Sequence, residues 1–238
     1  MKIKALKTSV LLTSLVAFAA STTATRATIV EWQNAVNTGT LPVTTLFTPV
    51  SGSAPQLIDV GALTDDRSFE FIVNAGFGGP SSALLGYRDS NGNQGLKFEQ
   101  WMDSGLYGMT NFGVEDFYSD DAPLEFTDTH VVFVSQGSDT ILYLNGTNVF
   151  TFADHPLVIS GEQGIAAIYN SNTVFNDILD GTISGFASYD EALSPAEIQA
   201  HSAAFFSTVP EPSGAGLITA AMGGLGILLR RRQVSSRR

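Results

Sequence analysis

The segment THVVFVSQGSDTILYLNGTNVFTF, from Thr129 to Phe152, carries the clearest structural pattern in the chain. Its opening THVVFVSQ and the run TILYL are rich in β-branched and aromatic residues, which are enriched in strands. The dipeptide Asn145-Gly146 follows, and it favours the positive φ angles of a two-residue hairpin turn. The chain then continues into a further apolar run, TNVFTF. The segment therefore predicts three consecutive antiparallel strands.

Short runs of the same kind lie on both sides of this segment. SFEFIVNA at 68–75 shows an imperfect alternation of apolar and polar residues, which is the two-residue period of a strand. A second Asn-Gly pair, Asn91-Gly92, predicts a hairpin between the runs at 82–88 and 95–101. Two further runs occupy 164–169 and 181–188. Strands this short and evenly spaced predict an all-β fold, a sandwich of two antiparallel sheets.

One helix is predicted, and it closes the domain. Ser194-Pro195-Ala196-Glu197 places Ser at the N-cap, Pro at the first helical position and Glu three residues after the cap. This arrangement is a capping box with its favoured proline. Ile198 and Phe205 lie about two helical turns apart and are expected on the buried face. The helix is predicted to run from Pro195 to about Phe206.

Two segments resemble a known family. THVVFVSQGSDTILYLNGTNVFTF is similar to the central hairpin of the LamG-like, concanavalin A-like jellyroll. DGTISGFASYDEALSPAEIQAH, from Asp180 to His201, is similar to the closing strand and helix of that family. The resemblance implies two packed antiparallel sheets and a structural position for His130. Family members often bind carbohydrate or protein but differ widely in function, so the resemblance implies no single activity.

The N-terminus has the three parts of a secretory signal peptide. Lysines precede an apolar run from Val10 to Ala20, and small residues follow it. This order is typical of an exported precursor, with cleavage after Ala24 or Ala27. The run is shorter than the roughly 20 residues of a membrane-spanning helix, which argues against an N-terminal anchor. Residues 1–27 are therefore predicted to be a signal peptide.

The C-terminus has three consecutive parts. Pro210-Glu211-Pro212 is followed by an uncharged apolar segment at 213–229, predicted to be a transmembrane helix, and by an arginine-rich tail at 230–238. In this order the parts resemble the PEP-CTERM sorting signal of Gram-negative bacteria. The resemblance implies transient insertion in the inner membrane and cleavage near this motif by an exosortase-type transpeptidase. A plain single-pass anchor with a cytoplasmic basic tail is the alternative. Residues 208–238 are predicted to be this signal, which leaves 28–207 as the jellyroll domain.

The predicted domain is acidic and contains no cysteine. All 23 acidic residues lie between Glu31 and Glu211, where the basic residues are Arg67, Arg88 and Lys97, so this stretch has a formal net charge of about −20. Such a surface is a poor partner for nucleic acid or an anionic membrane. It suits divalent cations, high-salt surroundings or simple solubility. The lack of cysteine excludes disulfides and thiolate metal sites.

Glycoside hydrolases of this fold use paired carboxylates, so carboxylate spacing is the first test of an enzymatic function. Their β-glucanase-type relatives place Glu-x-Asp-x-x-Glu on one strand face, and this spacing occurs nowhere in the chain. Glu115-Asp116 and Asp120-Asp121 lie in a polar, turn-rich stretch that indicates a solvated loop. The histidines at 130, 155 and 201 are scattered, and no Gly-x-Ser-x-Gly motif frames a nucleophile. The sequence therefore predicts a protein without enzymatic activity.

Calcium binding is left open, although no continuous calcium loop is present. The run from Asp89 through Asn91 and Asn93 mimics the start of an EF-hand loop, but Gln94 and Gln100 stand where that loop needs Gly and a bidentate Glu. A hairpin turn is the better interpretation. Candidates for a site assembled from separate loops are Asp65, Asp66, Asp120, Asp121 and Asp180. Candidates for stacking on sugar rings are Trp101, Tyr107 and Phe117, although such residues more often pack in a core.

Three functional hypotheses follow from these patterns. The first is an exported, non-enzymatic jellyroll protein with a structural or interaction role at the cell envelope or in the extracellular matrix. The second is a lectin-like module that binds extracellular polysaccharide, with calcium as its one candidate cofactor. The third is a divergent glycoside hydrolase. A polar, aromatic-lined groove on the concave sheet would favour the second hypothesis.

Overall fold

Two sheets and two helices make up the part of the chain that the computed structural model describes, residues 28–88, 93–102 and 105–207. The predicted signal peptide, the predicted sorting signal and the Asn91-Gly92 turn lie outside the described residues. Within the described residues, no helix is long and apolar enough to cross a membrane. The helices are α1 (28–36) and α2 (Pro195–Phe206). The strands are β1 (Thr44–Leu46), β2 (Val50–Ser51), β3 (Gln56–Asp59), β4 (Arg67–Gly76), β5 (Ser82–Arg88), β6 (Gln94–Glu99), β7 (Gly108–Asn111), β8 (Glu115–Tyr118), β9 (Thr129–Gln136), β10 (Asp139–Leu144), β11 (Thr147–Phe152), β12 (Glu162–Ile165), β13 (Ile168–Asn170), β14 (Phe175–Asn176) and β15 (Asp180–Tyr189).

The described strands pair into the two predicted sheets. Seven of them form the first sheet, in the order β1-β15-β4-β9-β10-β11, with β2 beside β15. Eight form the second sheet, in the order β14-β13-β5-β6-β7-β8, with β12 joining β3 to β5. Pairing in the described residues is antiparallel except between β13 and β5, which run parallel over a short stretch. The all-β sandwich predicted from the sequence is confirmed.

The segment from Thr129 to Phe152 folds as predicted. It forms β9, β10 and β11, which are neighbours in the first sheet and pair antiparallel. Asn145 and Gly146 adopt φ angles of 51° and 83° between β10 and β11. These left-handed values are those that a two-residue hairpin turn requires.

Replacing Gly146 with alanine is expected to lower the free energy of unfolding by about 1–2 kcal/mol, because a residue with a Cβ is strained at this left-handed φ. The new Cβ would also lie 3.1 Å from Cβ of Ser202 in α2. Chemical denaturation of the two proteins measures the difference. Gly79→Ala is the matched control, since a Cβ there meets nothing within 4 Å. Equal effects of the two substitutions would contradict the turn assignment.

Two local features differ from the sequence prediction. The predicted strand at 164–169 is divided by Ala166, whose φ of 61° ends β12, so that β13 then pairs with β5 in the opposite direction. The sequence predicts one helix, whereas the structure also has α1. Trp32 and Val36 of α1 lie one helical turn apart and are buried. The helix is too short for this apolar spacing to repeat, so the sequence pattern does not reveal α1.

The first sheet is covered on both faces, and this explains the imperfect alternation at 68–75. Phe69 and Phe71 of β4 lie in the core between the two sheets. Ile72 lies on the other face, in a second core that includes Ile198 and Phe205 of α2 as predicted. A strand that is buried on both faces carries apolar residues at odd and at even positions.

α2 has the predicted bounds and the predicted cap. Ser194 Oγ accepts the backbone N–H of Glu197 at 3.3 Å, and the Ser194 N–H donates to Glu197 Oε2 at 2.9 Å. Glu197 Oε1 also accepts the backbone N–H and the hydroxyl of Thr40, at 2.9 and 2.8 Å. The Ser194 hydroxyl also donates to Glu197 Oε2 at 2.6 Å, and this bond, together with those from Thr40 and the Ser194 N–H, lowers the pKa of Glu197 to about 2. The cap thereby ties α2 to the segment that follows α1.

Candidate functional site

The face of the second sheet that points away from the core carries an open cleft. Leu96 and Phe98 of β6 belong to the core, so Lys97 between them points to the opposite face. The cleft has a volume of about 400 Å³. We call it the open-face cleft. Its walls include Ser81, Arg88, Lys97, Trp101, Phe112 and Asp177.

Lys97 is a buried charged residue of the open-face cleft. Its side chain is 2% exposed, and Nζ donates to Ser81 Oγ at 2.9 Å and pairs with Oδ2 of Asp177. Burial lowers the pKa of Lys97, and the charge and hydrogen bond of Asp177 offset part of that effect. The carbonyl of Asp177 accepts the N–H of Ala83, which is the strand partner of Lys97 in β5. The ion pair is therefore positioned by the backbone as well as by its own charges.

Two of the three basic residues of the domain line this cleft. Arg88 Cζ lies 5.9 Å and Lys97 Nζ lies 5.8 Å from the centre of the Phe112 ring, within the range of cation–π attraction. Carboxylates line the same cleft, and they belong to Glu115, Asp116 and Asp177. No sequence motif marks Arg88 or Lys97 as binding residues. The feature that could have pointed to them is the scarcity of basic residues in this acidic domain.

Trp101 is the predicted stacking residue that the structure places in the cleft. It is 47% exposed, and its backbone N–H donates to Oε1 of Gln100 at 3.0 Å. Gln100 is buried, and its Nε2 donates to the Met109 carbonyl of β7 at 2.6 Å. The tryptophan is thus held by its backbone at the end of β6, with about half of its surface accessible.

The other two predicted stacking residues are not exposed, which corrects that part of the sequence analysis. Tyr107 is 1% exposed and packs edge-on against Phe98, with ring centroids 5.6 Å apart. Burial raises the pKa of Tyr107 above its ordinary value. Phe117 is half-buried against the core, and its ring centroid lies 3.7 Å from that of His155. Both aromatic rings are occupied by packing rather than presented to a ligand.

The five aspartates suggested for calcium do not converge. Among the residues that the structure describes, no three His, Asp or Glu side chains are placed to hold a metal ion together. Asp66 accepts a backbone N–H in the turn between β9 and β10, Asp121 lies in a turn after β8, and Asp180 begins β15. Asp65 and Asp120 are exposed at the surface.

A second polar centre lies in the core beneath the helices, and the sequence analysis did not foresee it. The carboxylate of Glu70 accepts bonds from Trp32 Nε1 at 3.0 Å and from the Tyr189 hydroxyl at 2.6 Å. It also accepts His130 Nε2 at 2.6 Å and His201 Nδ1 at 3.1 Å. We call these five residues the Glu70 network. All five are buried, so the network fastens α1 and α2 to the first sheet and contacts no ligand.

The two histidines of the Glu70 network have different hydrogen-bond environments. Nδ1 of His130 is buried with no hydrogen-bond partner in the described part of the chain, whereas its Nε2 contacts Glu70. His201 bonds the Ala35 backbone of α1 as well as Glu70, so both of its ring nitrogens donate. Burial opposes charge on both partners, but the hydrogen bonds and mutual attraction outweigh it. The pKa of Glu70 is consequently lowered and the pKa of His201 is raised.

The domain is expected to be most stable between about pH 5 and pH 6.5. Glu70, whose pKa is lowered by folding, contributes stability above its unfolded pKa and loses it as the pH falls. His201, whose pKa is raised by folding, contributes stability below its unfolded pKa and loses it as the pH rises through the folded value. Melting temperatures across this range measure both effects. A His201→Asn variant should lack the alkaline loss, and an unchanged alkaline loss would contradict the charged state of His201.

Sequence comparison agrees with this architecture. No curated protein matches the chain. A family model described as the Concanavalin A-like lectin/glucanases superfamily matches residues 52–199, more than half of the chain. The chain belongs to this superfamily. The match covers β3 to β15 and the start of α2, so the predicted resemblance of the central hairpin and the closing element is confirmed.

Solved structures of carbohydrate-active proteins share the superfamily fold. The CBM40 module of the Ruminococcus gnavus IT-sialidase, bound to α2,3-sialyllactose, has 17% identity and a TM-score of 0.52, over 67% of this chain and 98% of that chain. Domain 4 of AbnA, a GH43 extracellular arabinanase from Geobacillus stearothermophilus, was solved with arabinotriose. It has 15% identity and a TM-score of 0.52, over 64% of this chain and 74% of that chain. Identities this low show the fold alone.

Proposed function

We propose that this protein is an exported, non-enzymatic module that binds a neutral extracellular polysaccharide in the open-face cleft. The observation that carries the proposal is Trp101, half exposed in a cleft whose other walls are largely polar. Sugar rings present an apolar face that stacks on an aromatic ring and hydroxyl groups that bond to polar side chains. Solved structures of the same fold hold arabinotriose, which is neutral, and sialyllactose, which is acidic, so they support a carbohydrate ligand, and the preference for a neutral one rests on the charge of the domain.

The charge of the domain favours a neutral polymer over an acidic one. The stretch between Glu31 and Glu211 has a net charge of about −20, which repels a polyanion. In the cleft, Lys97 is already paired with Asp177, and Glu115 and Asp116 add further negative charge. Hydroxyl groups, which both donate and accept, suit this mixture of carboxylates, amides and cations.

We do not assign hydrolysis to the cleft. A retaining glycoside hydrolase needs two carboxyl groups facing one another, one of them kept protonated as an acid. Asp177 is engaged by Lys97 instead. The cleft is therefore proposed to hold a polysaccharide without cleaving it.

Substituting Trp101 with alanine is expected to weaken polysaccharide binding at least about fivefold, since truncating a central aromatic residue of a binding site commonly costs more than about 1 kcal/mol. Affinity electrophoresis against neutral glucans, arabinans and a uronate polymer, with and without a calcium chelator, measures the change. Leu124→Ala is the matched control, because Leu124 is 66% exposed and lies outside the cleft walls. If the wild-type protein binds none of the neutral polymers in either condition, the proposed function is wrong.

We further propose that residues 1–27 direct export and that residues 208–238 are the substrate of an exosortase-type transpeptidase. The basis is the order of signal-peptide and sorting-signal features in the sequence. The mature domain would then reside at the cell surface or in the extracellular matrix. An epitope tag placed after Arg238 should be missing from the mature protein, whereas a plain membrane anchor would retain it.

A further inference from the structure

Lys97 is the one lysine between residues 28 and 207 of the sequence, and it is buried against a carboxyl group. We propose that Lys97 Nζ and Asp177 Cγ form an intramolecular amide bond, a covalent cross-link between β6 and the residue after β14. This inference does not rest on polysaccharide binding in the cleft.

The backbone brings the two reacting groups together before any bond forms. Asp177 is anchored by its carbonyl to the N–H of Ala83, at 2.8 Å, and Ala83 is paired directly with Lys97 across β5 and β6. Nζ of Lys97 contacts Oδ2 of Asp177, and Ser81 Oγ accepts a second bond from Nζ at 2.9 Å. Holding a nucleophile and its carbonyl carbon in contact replaces a bimolecular encounter by an intramolecular step.

Besides the amine and the carboxyl group that react, amide formation needs a group that transfers protons, and Asp116 supplies it. It lines the same cleft and lies close enough to Lys97 to act on its charge. In the strand ladder Asp116 of β8 is opposite Thr110 of β7, and Thr110 is opposite Gly95 of β6, two residues before Lys97 on the same face. A carboxyl group at this place can take the proton released by the amine and deliver it to the departing oxygen.

Burial of Lys97 favours the neutral amine that reacts. Amide formation requires an unprotonated amine and a protonated carboxyl group. The side chain of Lys97 is 2% exposed, and burial lowers its pKa. The ring of Phe112 lies 5.8 Å from Nζ and adds apolar surface beside it.

The reaction balances without an oxidant or a co-reactant. The lone pair of Nζ attacks Cγ of Asp177 and forms a tetrahedral intermediate. A proton passes from nitrogen through the Asp116 carboxyl group to one oxygen, the C–O bond breaks, and one water molecule leaves as the amide forms. The Asp177 side chain is 23% exposed, so the water has a path to solvent.

The cross-link would stabilise the domain in the way that a disulfide stabilises many exported domains. The chain contains no cysteine. Lys97 and Asp177 are 80 positions apart, so an amide between them closes a long loop and restricts the unfolded chain. The link would join the middle of the second sheet to its edge at β14.

Two digestions of the purified, denatured wild-type protein test the proposal. A lysine-specific protease should leave residues 28–207 uncut, because the single target amine is blocked. A glutamate-specific protease should release residues 71–99 joined to residues 163–191, with a mass one water lighter than the sum of the two peptides. Complete cutting at Lys97, or two separate peptides of unchanged mass, would overturn the proposal. Joining of residues 71–99 to any other peptide would do the same.

Variants separate the roles of the three residues. Asp177→Ala and Lys97→Arg should each abolish the joined peptide, and Asp177→Ala should restore complete cutting at Lys97. Asp116→Asn should leave a large fraction of the protein without the cross-link at a time when the wild-type protein is fully cross-linked. An Asp116→Asn protein that cross-links as fully as the wild type would overturn the assignment of Asp116 as the proton carrier. The wild-type digestion alone decides whether the bond exists, even if a variant fails to fold.

Discussion

Replacing Glu70 with alanine is expected to lower the free energy of unfolding by about 3–5 kcal/mol, the cost of removing one partner from a buried ion pair. The substitution would leave the charged His201 in the second core without its counter-ion. The Tyr189 hydroxyl and the Trp32 indole N–H would also lose their acceptor, and each buried donor without a partner adds to the cost.

Urea denaturation followed by circular dichroism measures this loss. Glu191→Ala is the matched control, since it removes an exposed carboxylate from the loop before α2 and is expected to change stability by less than about 0.5 kcal/mol. Glu70→Gln preserves the shape and one acceptor oxygen but removes the charge, so its effect should lie between the two. A Glu70→Ala protein as stable as the Glu191→Ala control would show that the network contributes nothing to stability.

Replacing Trp32 with alanine is expected to cost about 3–5 kcal/mol, the range for truncating a large buried aromatic residue. Trp32 is fully buried and packs edge-on against Phe47, with ring centroids 5.7 Å apart. On its other side the indole lies over Gly185 of β15, where an added Cβ would approach a ring atom to 2.5 Å. The glycine leaves a space that the indole fills, and a smaller side chain would leave a cavity.

Trp32→Phe separates packing from hydrogen bonding. It retains an aromatic ring but removes the indole N–H that donates to Glu70, so a smaller loss of about 1–2 kcal/mol is expected. Combining Trp32→Phe with Glu70→Ala should cost less than the sum of the two single losses, because both remove the same hydrogen bond. Strict additivity in denaturation experiments would contradict a direct interaction between the two side chains.

Local patterns in the sequence were sufficient for the elements whose geometry is decided by neighbouring residues. The turn at Asn145 and Gly146 needs positive φ angles, and the Asn-Gly pair predicts them directly. The cap of α2 is formed by Ser194 and Glu197, three residues apart, and the helix has the bounds that they predict. The two-sheet fold followed from the spacing of the strands and from the family resemblance.

Features that depend on distant contacts could not be predicted in the same way. α1 is held by Trp32 reaching Glu70, a contact that no local period reveals. Glu70 in SFEFIVNA looks like the polar residue of a half-exposed strand, yet its face is covered by both helices. Among the suggested aromatic residues, Trp101 is exposed and Tyr107 is buried. The two are close in sequence, since Trp101 follows β6 and Tyr107 precedes β7, and the burial of Tyr107 depends on packing against Phe98 that no local pattern reveals.

The Glu70 network also sets the order in which the domain can be completed during synthesis. Glu70 is bonded to Trp32, 38 positions before it, and to His201, 131 positions after it. Until α2 has emerged, α1 alone can cover the outer face of the first sheet, and Glu70 lacks its bond to His201. Pairing over such separations is slow, and chains fold as their segments become available. For an exported chain, as we propose, a core that the last helix completes would leave the domain unfinished until the end of the domain has been synthesised.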